Sequence, residues 1–193
     1  MSCPRDMRDN ADFTNRFFVI TGGPGTGKTT LLNALKEEGF CCISEVAREI
    51  IREQAAKDGE ALPWKNREKY TELMLVASIQ SYRDARMTYE LDETVFFDRG
   101  IPDTLCYAAM IGLRISAQMK LAADRCRYHS RVFLLPPWRE IYHTDAERKQ
   151  TWDEAVYTYE MMKKTYREYG YHPVEVPRTT VEERVRFVRT QSI

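Results

Sequence analysis

The spacing of apolar positions changes along this chain in a recurring way. Runs such as Phe17 to Ile20, Val95 to Phe97 and Val132 to Leu135 are apolar at every residue, as strands covered on both faces are. Strands are expected over 16–21, 40–43, 94–98, 131–135 and 173–176. After the first run, Leu31, Leu32 and Leu35 fall at helical spacing, so helices are expected over 28–38 and 44–58, with Gly39 and Gly59 as stop signals. The stretch 64–91, apolar at 70, 73, 74, 77 and 87, reads as one long helix with room for a single break. Further helices are expected over 101–111, 116–127, 152–169 (ended by Gly170) and 180–189. Short strands alternating with longer helices predict an α/β fold, a three-layer sandwich around a five-stranded parallel sheet. The polar stretch 137–150 has little periodicity and is expected to form a mobile lid.

The turn between the first strand and the first helix carries chemistry. Gly22, Gly23, Pro24, Gly25, Thr26, Gly27, Lys28, Thr29 and Thr30 match the spacing of a loop that wraps phosphates. Glycines let the backbone curl around anionic oxygens with its N–H groups turned inward, and the helix that follows adds its positive end. Lys28 is expected to reach the β and γ phosphates of a nucleoside triphosphate, and the Thr29 hydroxyl to ligate Mg²⁺. A strand before the loop and a helix after it are what this reading requires. A P-loop NTPase fold is therefore expected over 16–193, with 1–15 as a polar leader.

In an open parallel sheet, ligands sit beyond the carboxyl ends of the strands, so the residues at those ends matter next. Asp98, at the end of the third run, is the expected second metal carboxylate; a helix cap is the plainer alternative. Beside it, Arg99 could bind an acceptor or transferred phosphate through parallel hydrogen bonds, or merely pair with a carboxylate. Glu45, after the second run, could take a proton from an acceptor hydroxyl, and Arg48 one turn later could grip the acceptor; Ser44 could instead cap that helix with Glu45 serving its dipole. Asp103 and Thr104 could line the acceptor site or cap. Arg139, Arg148 and Lys149 lie in or beside the expected lid, and Arg148 is the first choice for a cation closing over the γ phosphate. Trp64, Trp138 and Trp152 are read as packing residues, and His129, His143 and His172 receive no catalytic role.

Composition narrows the setting. The 193 residues carry 29 acids and 29 bases, so global charge favours neither a nucleic-acid nor a membrane partner. Cysteines at 3, 41, 42, 106 and 126 show no metal-ligand spacing and are odd in number, which points to a reducing, cytoplasmic setting. Residues 1–15 lack a signal-peptide core, and no apolar run is long enough to span a membrane.

The blocks Gly-Gly-Pro-Gly-Thr-Gly-Lys-Thr-Thr at 22–30, Ser-Glu-Val-Ala-Arg-Glu at 44–49 and Phe-Phe-Asp-Arg-Gly at 96–100, with Asp145 and Arg148, resemble an AAA-domain P-loop family. That family includes the nicotinamide riboside kinase part of bacterial NAD regulators and GTP-binding eukaryotic relatives. The resemblance covers about 16–189. It implies a kinase-like P-loop fold, with the second acidic block on the strand next to the first, rather than an AAA⁺ motor. Two functions compete. One is a small-molecule kinase that binds Mg-ATP and passes the γ phosphate to a nucleoside- or nucleotide-like acceptor held by Glu45, Arg48 and Arg99. The other is a regulatory switch or ATPase that answers to ATP or GTP and a protein or lipid partner. The chain has no Asn-Lys-x-Asp segment, which favours ATP and leaves GTP open. Oligomeric state is open.

Overall fold

The computed structural model describes residues 13–141 and 151–192. Strands β1 (Phe17–Gly22), β2 (Cys41–Ile43), β3 (Val95–Asp98), β4 (Arg131–Leu135) and β5 (His172–Glu175) form one parallel sheet, ordered β2-β3-β1-β4-β5. Parallel pairing requires a crossover between successive strands, and helices supply each one. They are α1 (Lys28–Glu37), α2 (Val46–Ala56), α3 (Arg67–Thr88), α4 (Ile101–Met110), α5 (Ala117–Arg125) and α6 (Trp152–Glu168), with α7 (Val181–Gln191) following β5.

Alternation along the central strand divides the core in two. Phe17 and Val19 join Val95, Phe97 and Val132 on one face, where Leu75 and Tyr82 of α3, Leu105 of α4, Ala122 of α5 and Tyr166 of α6 cover them. Phe18 and Ile20 join Phe96, Phe133 and Leu135 on the other, under Leu31, Leu32 and Leu35 of α1 and Val185 and Val188 of α7. Each large apolar side chain so buried contributes about 1.5–3 kcal/mol, which is what presses the helices onto both faces. The pairing of β1 with β3 and with β4 brings Gly22, Asp98 and Leu135 to the same end of the sheet.

All five strands and the crossover helices fall where the hydrophobic pattern predicts, within a residue or two at most ends. The differences are local and have local causes. α3 is unbroken, with Asn66 as its cap accepting a hydrogen bond from the Lys69 N–H at 3.0 Å. α2 begins at Val46, so its cap is Glu45 rather than Ser44, and Glu45 keeps an extended backbone. Gly39 and Gly170 end their helices at φ 91° and 79°, but at the end of α2 the left-handed residue is Asp58 (φ 47°), and the Gly59 N–H closes onto the Gln54 carbonyl at 2.7 Å. Trp64 does not pack as expected and is 66% exposed. Phe13, inside the expected leader, is buried against Phe17 with Arg86 over its ring.

Candidate nucleotide and acceptor site

At the end of β1 the chain turns through Gly25 (φ 75°) and Gly27 (φ 80°), left-handed positions that favour glycine. Gly22 is needed for a different reason. A Cβ there would lie 2.7 Å from the carbonyl oxygen of Leu135 on the neighbouring strand. The loop is braced internally by the Thr26 hydroxyl, which donates to the Gly23 carbonyl at 2.9 Å, and by Lys28 Nζ, which donates to the Gly22 and Gly23 carbonyls at 3.0 and 3.3 Å. No side chain caps α1 at Gly27, so the first-turn N–H groups and the helix dipole serve the loop. Burial lowers the Lys28 pKa to about 8, with Arg99 acting in the same direction and Asp98, Glu45 and Asp103 against it.

Thr29 and Asp98 line one cavity of about 220 Å³, together with Glu45 and Arg48. Asp98 Oδ1 is buried and has no hydrogen-bond partner among the described residues, and burial raises the acid's pKa although Lys28 opposes it. An orphaned carboxylate oxygen beside a threonine hydroxyl fits Mg²⁺, a hard cation that takes one or two protein oxygens and fills its shell with water and phosphate. Among the described residues no group of three or more His, Cys, Asp or Glu could hold a metal by itself.

Glu45, Arg99 and Asp103 form a connected charge cluster. Arg99 Nε donates to Glu45 Oε1 at 2.7 Å and its Nη1 to Asp103 Oδ1 at 3.3 Å, while Arg48 Nε donates to Glu45 Oε2 at 3.1 Å. Asp103 also accepts from the Thr21 and Tyr166 hydroxyls and, at 2.8 Å, from the Gly100 N–H, so it caps α4 while tying β1, α4 and α6 together. Arg99 holds this position in a left-handed conformation, φ 73°, unusual for a residue with a side chain. Burial pushes Glu45 upward, but Arg99, Lys28 and Arg48 outweigh it and hold the carboxyl below its ordinary range. For Arg99, burial is outweighed by Glu45, Asp103 and Asp98, and its pKa is raised. It is permanently charged and occupied.

A second cavity, of about 280 Å³, is lined by these groups and by an apolar wall that includes Tyr70, Met74, Phe97, Tyr107, Met110 and Met162. Arg48 belongs to the Thr29 side and does not line this cavity. Thus Glu45, Asp98 and Arg99 come together as their positions at the strand ends predict, and Arg48 reaches them only through Glu45. The aromatic and methionine wall was not anticipated: position 70 is read from sequence only as an apolar position of the long helix, and Tyr107 and Met162 are not singled out. Asp103 was legible as a cap; its bond to Tyr166, 63 residues away, was not.

The start of the expected lid is anchored on both sides. Arg178 Nε donates to the Pro137 carbonyl at 2.9 Å, Arg184 lies over Trp138 at 5.9 Å, and Arg139 lies over Trp152 at 4.9 Å. Residues 142–150, with His143, Asp145, Arg148 and Lys149, lie outside the described residues. His129 Nδ1 accepts from the Arg131 N–H and its ring stacks on Phe18, which leaves it a packing residue.

A central strand feeding a glycine-rich loop, with an acid on the adjacent parallel strand, defines a kinase-like P-loop fold. The family model described as "AAA domain" matches residues 17–184, and the chain belongs to that family. A curated relative, "Nucleotide-binding protein" of Trichlorobacter lovleyi, is 33% identical over 90 residues, covering 43% of this chain and 31% of its own length. The chain thus matches about a third of that relative's length. Among solved structures, NadR protein in complex with NR superposes with a TM-score of 0.69 at 17% identity, over 97% of this chain and 54% of that one. Deoxyadenosine kinase from M. mycoides gives 0.58 at 17% identity, over 91% of this chain and 97% of that one. Thymidylate kinase from Ehrlichia chaffeensis gives 0.59 at 14% identity, over 93% and 99%. At these identities the likeness establishes the fold. Among the described residues, no helix is long and apolar enough to cross a membrane.

Proposed function

We propose that this protein is a small-molecule kinase that transfers the γ phosphate of Mg-ATP to a hydroxyl of a nucleoside-like acceptor. The observation that carries the reading is the adjacency of two unlike sites. A phosphate loop ending in Lys28 stands beside an apolar cavity whose lining includes Glu45, Asp98 and Arg99. A switch needs the first site; only a transferase needs the second. Glu45, held ionised by Arg99, is the group to accept the acceptor's proton, and Lys28 with the loop N–H groups holds the phosphates. Thr29 and Asp98 would hold Mg²⁺, which when bound screens phosphate charge and draws electron density toward the leaving oxygens. Arg148, in the expected lid, remains the candidate for a cation over the moving phosphoryl group.

The charge of the cavity speaks to the acceptor. Among its described lining residues Arg99 is the one cation, facing Glu45, Asp98 and Asp103, and two of those acids already engage it. Among the described lining residues a phosphate-bearing acceptor would meet net negative charge and no unengaged base, whereas a neutral or cationic aromatic ring fits among Tyr70, Phe97 and Tyr107. In this assignment Arg99 orients Glu45 and does not itself grip a phosphate. The test is a transfer assay with γ-labelled ATP against nucleosides, nucleoside monophosphates and ribosylated vitamins. Label appearing in an unphosphorylated nucleoside-type acceptor supports the reading. ATP turnover with no labelled acceptor in any pool overturns it.

A further inference from the structure

One buried charge remains outside this account. Arg184, on α7, is only 3% exposed, and its neighbours Val185 and Val188 are packed on Leu31, Leu32 and Leu35 of α1. A guanidinium buried in such a place is ordinarily paired with a carboxylate, because withdrawing it from water costs several kcal/mol. Among the described residues Arg184 has no acid partner. Its Nη2 donates to the Thr26 carbonyl at 3.2 Å, its face lies 5.9 Å from the Trp138 ring, and its Nε is buried with no hydrogen-bond partner. Burial lowers its pKa, and among the described residues no neighbouring carboxylate opposes the shift. The contact with the loop is close enough to restrict sequence: a Cβ added at Gly27 would lie 2.8 Å from Arg184 Nη1.

Other buried or half-buried arginines have ordinary explanations. Arg99 is paired with two carboxylates, and Arg127 donates to the Tyr169 carbonyl while lying over Tyr171. Packing alone would be served at position 184 by a methionine or leucine, like the valines that follow on the same face. What distinguishes Arg184 is its place against Thr26 and Gly27, where the loop presents its N–H groups to anions and a fixed positive charge strengthens that field.

We propose that Arg184 is a positioning residue of the phosphate site, bracing Thr26 and Gly27 from α7 and supplying a buried positive charge that bound nucleotide phosphates offset. The proposal rests on the reading of the loop as a nucleotide site. It predicts opposite effects on the fold and on binding, because the charge burdens the protein alone and is compensated in the complex.

The experiment pairs calorimetric titration of Mg-ATP with thermal unfolding in the absence of nucleotide, for wild type, Arg184→Met and Arg184→Lys. The expected result is an Arg184→Met protein that unfolds at the wild-type temperature or above, yet binds Mg-ATP about tenfold or more weakly, with Arg184→Lys recovering part of the affinity. In the transfer assay KM for ATP rises while KM for the acceptor does not. Wild-type affinity in Arg184→Met overturns the proposal, because it removes the guanidinium from the phosphate site, and so does an Arg184→Met protein that is unfolded or destabilised, because it makes the guanidinium a structural brace only. Wild-type protein that takes up no Mg-ATP overturns the nucleotide reading itself, and this proposal with it, which distinguishes the two failures.

Discussion

The glycine-rich loop and the proposed acceptor cavity lie side by side but are made in different ways. The loop is nine consecutive residues, Gly22 to Thr30, whose proposed phosphate binding resides in backbone N–H groups and one ammonium. The cavity is assembled from side chains on β2, β3 and the helices α2, α3, α4 and α6, and its charged end exists only because Arg99 bridges Glu45 and Asp103. The loop is therefore sensitive to any added atom and tolerant of distant change. The cavity is the reverse: many of its walls can be altered singly, but its charges depend on partners far away in the chain.

That contrast can be broken most sharply at Lys28. Lys28→Ala is expected to stay folded, because burying this ammonium already opposes its charged form, and to lose about 10³-fold or more in kcat/KM for ATP, read by the transfer assay beside a circular-dichroism melt. Asp103→Ala strikes the other side. It removes one of the two carboxylates that engage Arg99 and strands the Tyr166 and Thr21 hydroxyls, and should cost about 3–5 kcal/mol of stability in urea unfolding. A loss near zero would mean that the Asp103 network is not what holds β1, α4 and α6 together.

Glu45→Gln separates binding from chemistry. Turnover should fall about 10²-fold while the dissociation constant for Mg-ATP stays near the wild-type value, since the change removes a proton acceptor and leaves the loop intact. Equal losses in both would move Glu45 from the reaction to the nucleotide site.

The smallest effect is a pH dependence. The ammonium form of Lys28 is the one that attracts phosphate, and its pKa in the protein is lowered to about 8. Phosphate binding favours the protonated form, so affinity for Mg-ATP is highest below that value. It should weaken as pH rises through it, by at most about tenfold per unit. Lys28→Arg, which stays protonated across this range, should flatten the profile between pH 7.5 and about 9.5 if Lys28 is the titrating group.

How much could be read from the chain alone follows from the same contrast. Strand and helix periods, the turn glycines and the lysine and threonine that end the loop are local patterns, and local sterics and hydrogen bonding decide them within a dozen residues. They were legible, down to Asp98 at the tip of β3. The cap of α2 shifted by one residue because Glu45 is drawn toward Arg99, 54 positions away, and no local rule contains that attraction. The burial of Phe13 depends on Phe17 and on Arg86 of α3, 73 positions away, and no local period announces it or the exposure of Trp64.

The amino-acid order by itself determined the parallel α/β sandwich and the phosphate loop, because hydrophobic period and backbone conformation act between near neighbours. Only the tertiary structure decided that Arg99 is occupied by two acids, that an aromatic cavity opens beside Asp98, and that Arg184 is buried against Gly27 with no acid beside it among the described residues. Those outcomes depend on distances between side chains far apart in sequence, and on the loss of water around them, which the folded packing alone sets.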